Sequence, residues 1–495
     1  MPRVCHALSL ALFLALLLPV GAAAQTIDLD AARTLQQNLQ SWFANLLGPN
    51  LGTAERNLRV TPEDDHFRVA VPFAGAAGDI EVRADVRPLE GGRWSVDALR
   101  LPAASRFTLR MPEPGGPPGS KVPTVFSLRI GTQNSHAMLD PAFATPSSLD
   151  INLGNVGLVT DSPRQHQEQH IDRYVVHTTL EPHDGRLDLV QAGTITGWRS
   201  ASRVGTRPAV AFGADHIQAD GRVDGIDRTH AAALLTAVSG LLAALPPAAA
   251  AQHGDVVLSA PARAALRALI ESLRGIVTDV RGTETIDGLH VAVAGQGEAT
   301  VRQVRLGIGG AAPNGVLHAA MDVAFDGIAV RNVQPRAAAL MPRHLALRPS
   351  VAGVSVAALT ALALEATDQD VNHARLQADA AALLAHGGVT LGLDTLDLDV
   401  GPATLHGHGH VLLTGPNQYQ AEAHVTATGL DNLMRQARGN PDLQRVLPFL
   451  AMARGFARPQ GDHLVWDIVA GNGGLTVNGI ALGNPHAEPH QPDKR

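Results

Sequence analysis

Ile80-Glu-Val-Arg-Ala-Asp-Val86 is the stretch on which the fold turns. Apolar and polar residues alternate at every position. An extended chain therefore puts Ile80, Val82, Ala84 and Val86 on one face and the charged residues on the other. A helix would scatter the same residues around its axis. The pattern recurs on both sides, in Phe67-Arg-Val-Ala-Val71, Trp94-Ser-Val-Asp-Ala-Leu99 and Phe107-Thr-Leu-Arg-Met111. Such segments pair as antiparallel strands with one wet face. Longer segments of the same kind follow, from Leu149 to Val159, Tyr174 to Leu180 and Leu187 to Thr196.

Upstream, Leu35, Leu39, Trp42, Phe43 and Leu46 recur at helical spacing, so a helix is expected from Leu29 to Leu47, capped by Asp28 or Asp30 and stopped by Gly48-Pro49. Downstream, the Pro/Gly stretch from Pro112 to Gly119 is incompatible with regular structure. It serves as a boundary or a long hairpin loop at 112–120, between a helix-plus-meander region at 25–111 and a β-rich repetitive region at 121–483. Two apolar stripes interrupt the later strands with helices: Leu234, Leu235, Val238, Leu241, Leu242 and Leu245, then Leu266, Leu269, Ile270, Leu273, Ile276 and Val277. Gly225, Gly327 and Gly429 stand at equal spacing, each at the end of a strand pattern, and Val301 to Ile328 aligns with Ala403 to Leu430 as a pair of hairpins. The expected fold class is α+β, β-rich, with long antiparallel meanders forming an elongated curved sheet and covering amphipathic helices. The polar stretch from Asn484 to Arg495 reads as a disordered tail. Between Phe67 and Thr196 the sequence offers no obvious helical cover, so that apolar face needs a second sheet, a partner protein or an apolar ligand.

The first 24 residues have the layout of a secretory signal: Arg3, an apolar run from Ala7 to Leu18, Pro19, then Ala22-Ala23-Ala24 before Gln25. Cleavage there sends the protein to the periplasm with no transmembrane segment, because the run is shorter than the roughly 20 residues a spanning helix needs. Cys5 is the only cysteine and lies within that signal, so disulfides, thiolate catalysis and cysteine-held metals are excluded from the mature chain. Lysine occurs only at Lys121 and Lys494, neither in a catalytic or phosphate-binding setting. A net charge of −7 with 3% aromatic residues excludes a nucleic-acid-binding face.

No enzyme signature is intact and no cofactor is implied. Gly307-x-Gly309 sits in a strand and turn setting with no helix behind it, unlike a dinucleotide fingerprint. His166-Gln-Glu-Gln-His170 lacks the spacing of a zinc protease motif and reads as a polar hairpin tip beside Asp161-Ser-Pro163. The remaining candidate is Leu405-His-Gly-His-Gly-His-Val411. As a strand it presents His406, His408 and His410 on one face, and its partner Gln420 to Ala427 adds Glu422 and His424 to that face. Matching the apolar faces sets His410 opposite Glu422 or His424. His408, His410 and His424 could together hold a metal ion. The same residues also suit a solvated polar face.

The early Trp42-containing helix, the long meander and the ending, Gly429-Leu-Asp431, leucine-rich helices, a strand, the Gly471-Asn-Gly-Gly474 turn and Leu475-Thr-Val-Asn-Gly479, resemble an exported bacterial family, domain of unknown function 2125. More distantly they resemble AsmA-related envelope proteins. The resemblance implies a curved sheet in the cell envelope, with AsmA-like sheets associated with lipids. It carries over no catalytic residue. The function classes left are a non-enzymatic periplasmic protein holding a lipid-like apolar ligand in a β-sheet groove, an envelope scaffold whose partner is another envelope protein, and a metal-dependent hydrolase at the histidine face.

Overall fold

The structure is a computed structural model that describes residues 26–47, 58–75, 78–112, 121–139, 146–205, 209–227, 237–238, 240–241, 259–272, 278–331, 341–368, 372–386, 388–415, 418–439, 444–471 and 474–482. The chain divides into two compact units, Met1–Gln296 and Gly297–Arg495. Both are built on long antiparallel sheets. The stretches read from the sequence as a signal, Met1 to Ala24, and as a tail, Asn484 to Arg495, lie outside the described residues.

The first unit opens with α1 (Leu29–Leu47). Asp28 is its cap: the side chain accepts the backbone N–H groups of Asp30 at 3.0 Å and Ala31 at 2.8 Å, two of the donors a helix start leaves unmet. The strands are β1 (Arg59–Pro62), β2 (Phe67–Gly75), β3 (Gly78–Pro88), β4 (Trp94–Arg100), β5 (Ala104–Pro112), β6 (Lys121–Leu139), β7 (Pro146–Asp161), β8 (Gln165–His183), β9 (Arg186–Val204), β10 (Val210–Ile226) and β11 (Asp279–Val293). Consecutive strands pair antiparallel, except that β4 and β5 share one edge of β6, β4 at its Leu139 end and β5 along Lys121 to Arg129. The strands flanking the Pro/Gly stretch are partners, Pro112 opposite Lys121, so that stretch joins a hairpin within the first unit.

Ala32, Leu35 and Leu39 of α1 are buried in one core with Phe67, Val69 and Val71 of β2, Ala84 and Val86 of β3, Trp94 and Val96 of β4, and inward residues of β6 and β7. Phe67 and Leu35 have no exposed surface, and the Phe67 and Trp94 rings lie 6.1 Å apart, tilted at 47°. The expectation that the Phe67 to Thr196 meander lacks a helical partner is thus corrected for its first half. The stripe of α1 and the apolar faces of β2 to β4 meet because neither can be left in water.

β6, β8 and β9 each run 19 residues, roughly 60 Å of extended chain. A transverse row of interruptions crosses β6 to β11. Pairing skips Gly131 with Asn155, Asp172 with Gly197, and Asp215 with Gly288. Asn155, Gly197 and Gly288 have φ of 51°, 64° and 66°. A Cβ on Gly197 would fall 1.9 Å from Asp172 Oδ2, so the position accepts only glycine. The row shifts the alternation by one residue: Leu153 and Val156, of opposite parity, both pack on the core.

His166 to His170 is strand, not hairpin tip. The turn is confined to Ser162–Arg164, and β8 pairs with β7 from His166 onward. His166, Glu168 and His170 therefore share a face, with Gln167 buried behind them. His166 bonds Asp161 at 2.5 Å and Glu168 at 3.0 Å. Of the two apolar stripes, the described parts are Val238 and Leu241 of the first and α2 (Ala260–Ser272), which carries Leu266, Leu269 and Ile270 of the second.

The second unit contains β12 (Gly297–Ala311), β13 (Val316–Arg331), β14 (Pro342–Ser355), α3 (Val356–Glu365), α4 (His373–His386), β15 (Val389–Val400), β16 (Ala403–Gly415), β17 (Gln418–Thr428), α5 (Leu430–Arg438), α6 (Leu447–Phe456), β18 (Arg458–Gln460), β19 (His463–Gly471), β20 (Gly474–Val477) and β21 (Ile480–Ala481). Each helix pair is inserted between neighbouring antiparallel strands, α3–α4 between β14 and β15 and α5–α6 between β17 and β19. The two aligned segments do form hairpins, β12–β13 and β16–β17. Gly225, Gly327 and Gly429 share one backbone state, with φ of 71°, 66° and 68°. Gly327 differs in place, since β13 continues past it to Arg331.

Candidate functional site

The site lies on β15, β16, β17 and β19 and follows from their register. Leu391, Val411, Ala421 and Ala470 form one row across the strands; Leu393, Gly409, Ala423 and Ile468 form the next. Leu396, Gly407, Val425 and Trp466 form the third. All lie on one face, because directly paired residues share a face. The two middle strands contribute glycine and alanine at the centre, with Val411 and Val425 toward the ends, while the outer strands line the groove with Leu391, Leu393, Leu396 and Ile468. Large walls over a small floor make a groove of about 350 Å³. From Leu393 to Ile468 is three strand spacings, roughly 14 Å.

Gly409 is required by the close approach of β17: a Cβ there would lie 2.7 Å from both Ala423 Cβ and the Glu422 carbonyl oxygen. Gly407 has more room, its nearest neighbours at 3.3 Å. Leu391 is 41% exposed. At one end the groove meets the core under α5 and α6, where Val425 and Ile468 pack against buried Ala427, Leu430, Leu464, Trp466 and Val477. Trp466 donates its indole N–H to the Ala453 carbonyl of α6 at 2.8 Å, and Asn478 Nδ2 donates to the carbonyls of Phe456 and Val465, both at 2.8 Å. Those bonds explain the Leu475-Thr-Val-Asn-Gly479 ending: its asparagine ties the end of α6 to β19. At the groove's other end, α4 packs on β14, β15 and β16, and Val389 is fully buried.

A family model described as an uncharacterized protein conserved in bacteria (DUF2125) matches residues 225–485, just over half of the chain. The chain belongs to this family. The DUF2125 stretch takes in the groove, all of its walls and the helix pairs beside it. No curated protein and no solved structure matches the chain.

The polar reverse of the DUF2125 sheet carries the histidines. His406, His408 and His410 are exposed on the face opposite the groove, as their alternation requires. His408 stands opposite His424, with ring centroids 5.6 Å apart, and His410 stands opposite Glu422. His424 Nδ1 bonds Asp467 at 2.7 Å, and Arg458 donates to the same carboxylate at 2.8 Å. The His424 hydrogen bond, with the Arg458 charge, holds the Asp467 carboxyl below the usual range. His406 bonds Asp397 at 2.6 Å. The same cross-strand partnership recurs as His136 with Asp97, His177 with Asp150 and His344 with Asp326. Among the described residues, no group of three or more histidine, cysteine, aspartate or glutamate side chains is placed to hold a metal ion. His408, His410 and His424 share a face, with His408 directly opposite His424.

A second cleft of about 510 Å³ lies between α3 and α4, lined by Ala358, Ala361, Leu362 and Leu383 with Glu365 and Asp379. Arg375 bridges those two carboxylates at 3.3 and 3.4 Å. In Leu405 to Val411 the alternation that exposes the histidines also puts Gly407 and Gly409 on the apolar face, opposite Val425 and Ala423, so the floor of the groove is written in the same stretch.

Proposed function

We propose that this is an exported periplasmic protein without catalytic chemistry, which holds an apolar, lipid-like ligand along the groove floored by Gly407, Gly409, Ala421 and Ala423. The observation that carries the reading is the small-residue floor between large apolar walls. Its volume falls within the range of small-molecule pockets, roughly 300–1,000 Å³. A sheet stabilised only for its own sake would place β-branched or aromatic residues at these central, doubly paired positions. Export follows from the Met1 to Ala24 layout, with Gln25 as the first mature residue.

The test is solvent extraction of the protein purified without detergent, followed by mass spectrometry. The expected result is one class of acyl-chain compound near equimolar with protein, together with an N-terminus at Gln25 in the periplasmic fraction. An extract indistinguishable from that of an unrelated protein purified alongside would overturn the ligand reading in favour of an envelope scaffold. An intact Met1 or Pro2 in the membrane fraction would overturn export.

A further inference from the structure

Helix α6 is apolar all the way round. Its sequence, Leu447-Pro-Phe-Leu-Ala-Met-Ala-Arg-Gly-Phe456, has one charged residue, Arg454, whose Nε donates to Asp431 at 3.2 Å. One side of the helix is accounted for: Leu450, Ala453 and Phe456 pack on the core of the second unit. The other side is not. Pro448, Phe449, Ala451, Met452 and Gly455 are exposed, Phe449 at 65% and Met452 at 57%, and Val446 in the preceding turn at 43%. A helix with no polar face is normally enclosed by protein or lipid, and Phe449 and Met452 are among the larger side chains this protein leaves in water.

The surrounding charge narrows the occupant. Between Leu430 and Gln460 there are five arginines, Arg435, Arg438, Arg445, Arg454 and Arg458, against two aspartates, Asp431 and Asp442, in a chain of net charge −7. Asp431 and Asp467 engage Arg454 and Arg458, while Arg435, Arg438 and Arg445, at the end of α5 and the entry to α6, are exposed. An apolar helical face flanked by exposed arginines matches the interface of an anionic bilayer, where apolar side chains enter the acyl boundary and guanidinium groups meet phosphates. The anchoring of α6 by Trp466 and Asn478 keeps that face turned outward.

We infer that α5–α6 is a membrane-docking element and that the outer face of α6 inserts Phe449 and Met452 into the surface of an anionic phospholipid bilayer. The inference stands independently of the groove. If both hold, a ligand could pass between bilayer and groove beside α6, since Val425 and Ile468 belong to both the groove wall and the core on which α6 packs.

The full chain with Cys5→Ser and Met452→Cys, carrying an environment-sensitive fluorophore at 452, is mixed with vesicles of phosphatidylcholine alone or with phosphatidylglycerol. A matched protein labelled at Asp184→Cys, in the exposed β8–β9 turn, is the control. The expected result is a blue shift and brightening at 452 with the anionic vesicles only, and none at 184. Arg435→Gln with Arg438→Gln should weaken the 452 response about twenty-five-fold, at roughly fivefold per arginine near an anionic surface. Phe449→Ser should weaken it further, and Ala423→Leu, which fills the groove, should leave it unchanged. No shift at 452 with either vesicle overturns the inference, as does an equal shift at 452 and 184. A shift at 452 on adding a soluble envelope protein, with none on adding vesicles, would likewise overturn it and assign α6 to a protein partner.

Discussion

Phe67 and Gly409 hold comparable places in their sheets. Each lies on the apolar face of a strand paired on both edges. Around Phe67 the face is finished: the ring lies beside Trp94 of β4 in one core with Leu35 of α1, and no part of it reaches solvent. Around Gly409 the face is left open, with Leu393 and Ile468 standing at its sides and only Ala423 beside it. Both faces obey the same alternation. The difference lies in side-chain volume: large residues facing a helix make a core, whereas glycine and alanine between large neighbours make a depression. Apolar patterning thus identifies the face, and residue size within the pattern decides whether that face is a core or a site.

The largest effect that would sharpen this contrast is on stability. Phe67→Ala removes a wholly buried ring from the first unit and should cost about 3–5 kcal/mol. Leu391→Ala, on the open wall, should cost under about 1 kcal/mol. Denaturant unfolding followed by circular dichroism measures both. A Leu391 loss matching that of Phe67 would mean the groove is packed in solution and would break the comparison.

Much of this was legible in the sequence. The alternation gave the strands, the faces and the exposed side of His406, His408 and His410. Leu29 to Leu47 was recognisable as a helix from its spacing. The packing of α1 against β1 and into the core shared with β2 to β4 was not legible, because it depends on pairing between segments far apart in sequence. Nor was the row through Asn155, Gly197 and Gly288, since a single positive φ reverses side-chain direction without disturbing composition. The strand through His166 to His170 was not legible either, because its run of polar residues lacks the apolar alternation, although on that strand Glu168 shares a side with His166.

The smallest effects belong to the polar faces. Asp326 and Asp467 are held below the usual carboxylate range by hydrogen bonds from His344 and His424. Their contribution is present above the unfolded carboxylate value and lost as pH falls through the lower native one. His166 is raised because its ring N–H groups donate to the Asp161 and Glu168 carboxylates. Its contribution is complete below about 6.5 and lost as pH rises through the raised native value. Stability should therefore peak between about pH 5 and 6.5, with a shallow decline above that window and a steeper one below about pH 4. Unfolding midpoints across pH 3 to 9 check this, and a profile rising steadily to pH 9 would refute it. At neutral pH, added zinc should shift the midpoint little, and equally in wild type and a His408→Ala, His424→Ala variant. Tight zinc binding lost in that variant would establish a metal centre on this face.

The most direct measurement for the groove is titration of the purified protein with a fluorescent fatty acid, comparing wild type with Ala423→Leu. Leucine at 423 occupies the floor beside Gly409 without touching the polar face. Saturable binding by wild type, weakened at least tenfold in Ala423→Leu with the circular dichroism spectrum unchanged, is the predicted result. Equal binding by the two proteins, or none by wild type after any resident ligand has been extracted, would contradict it.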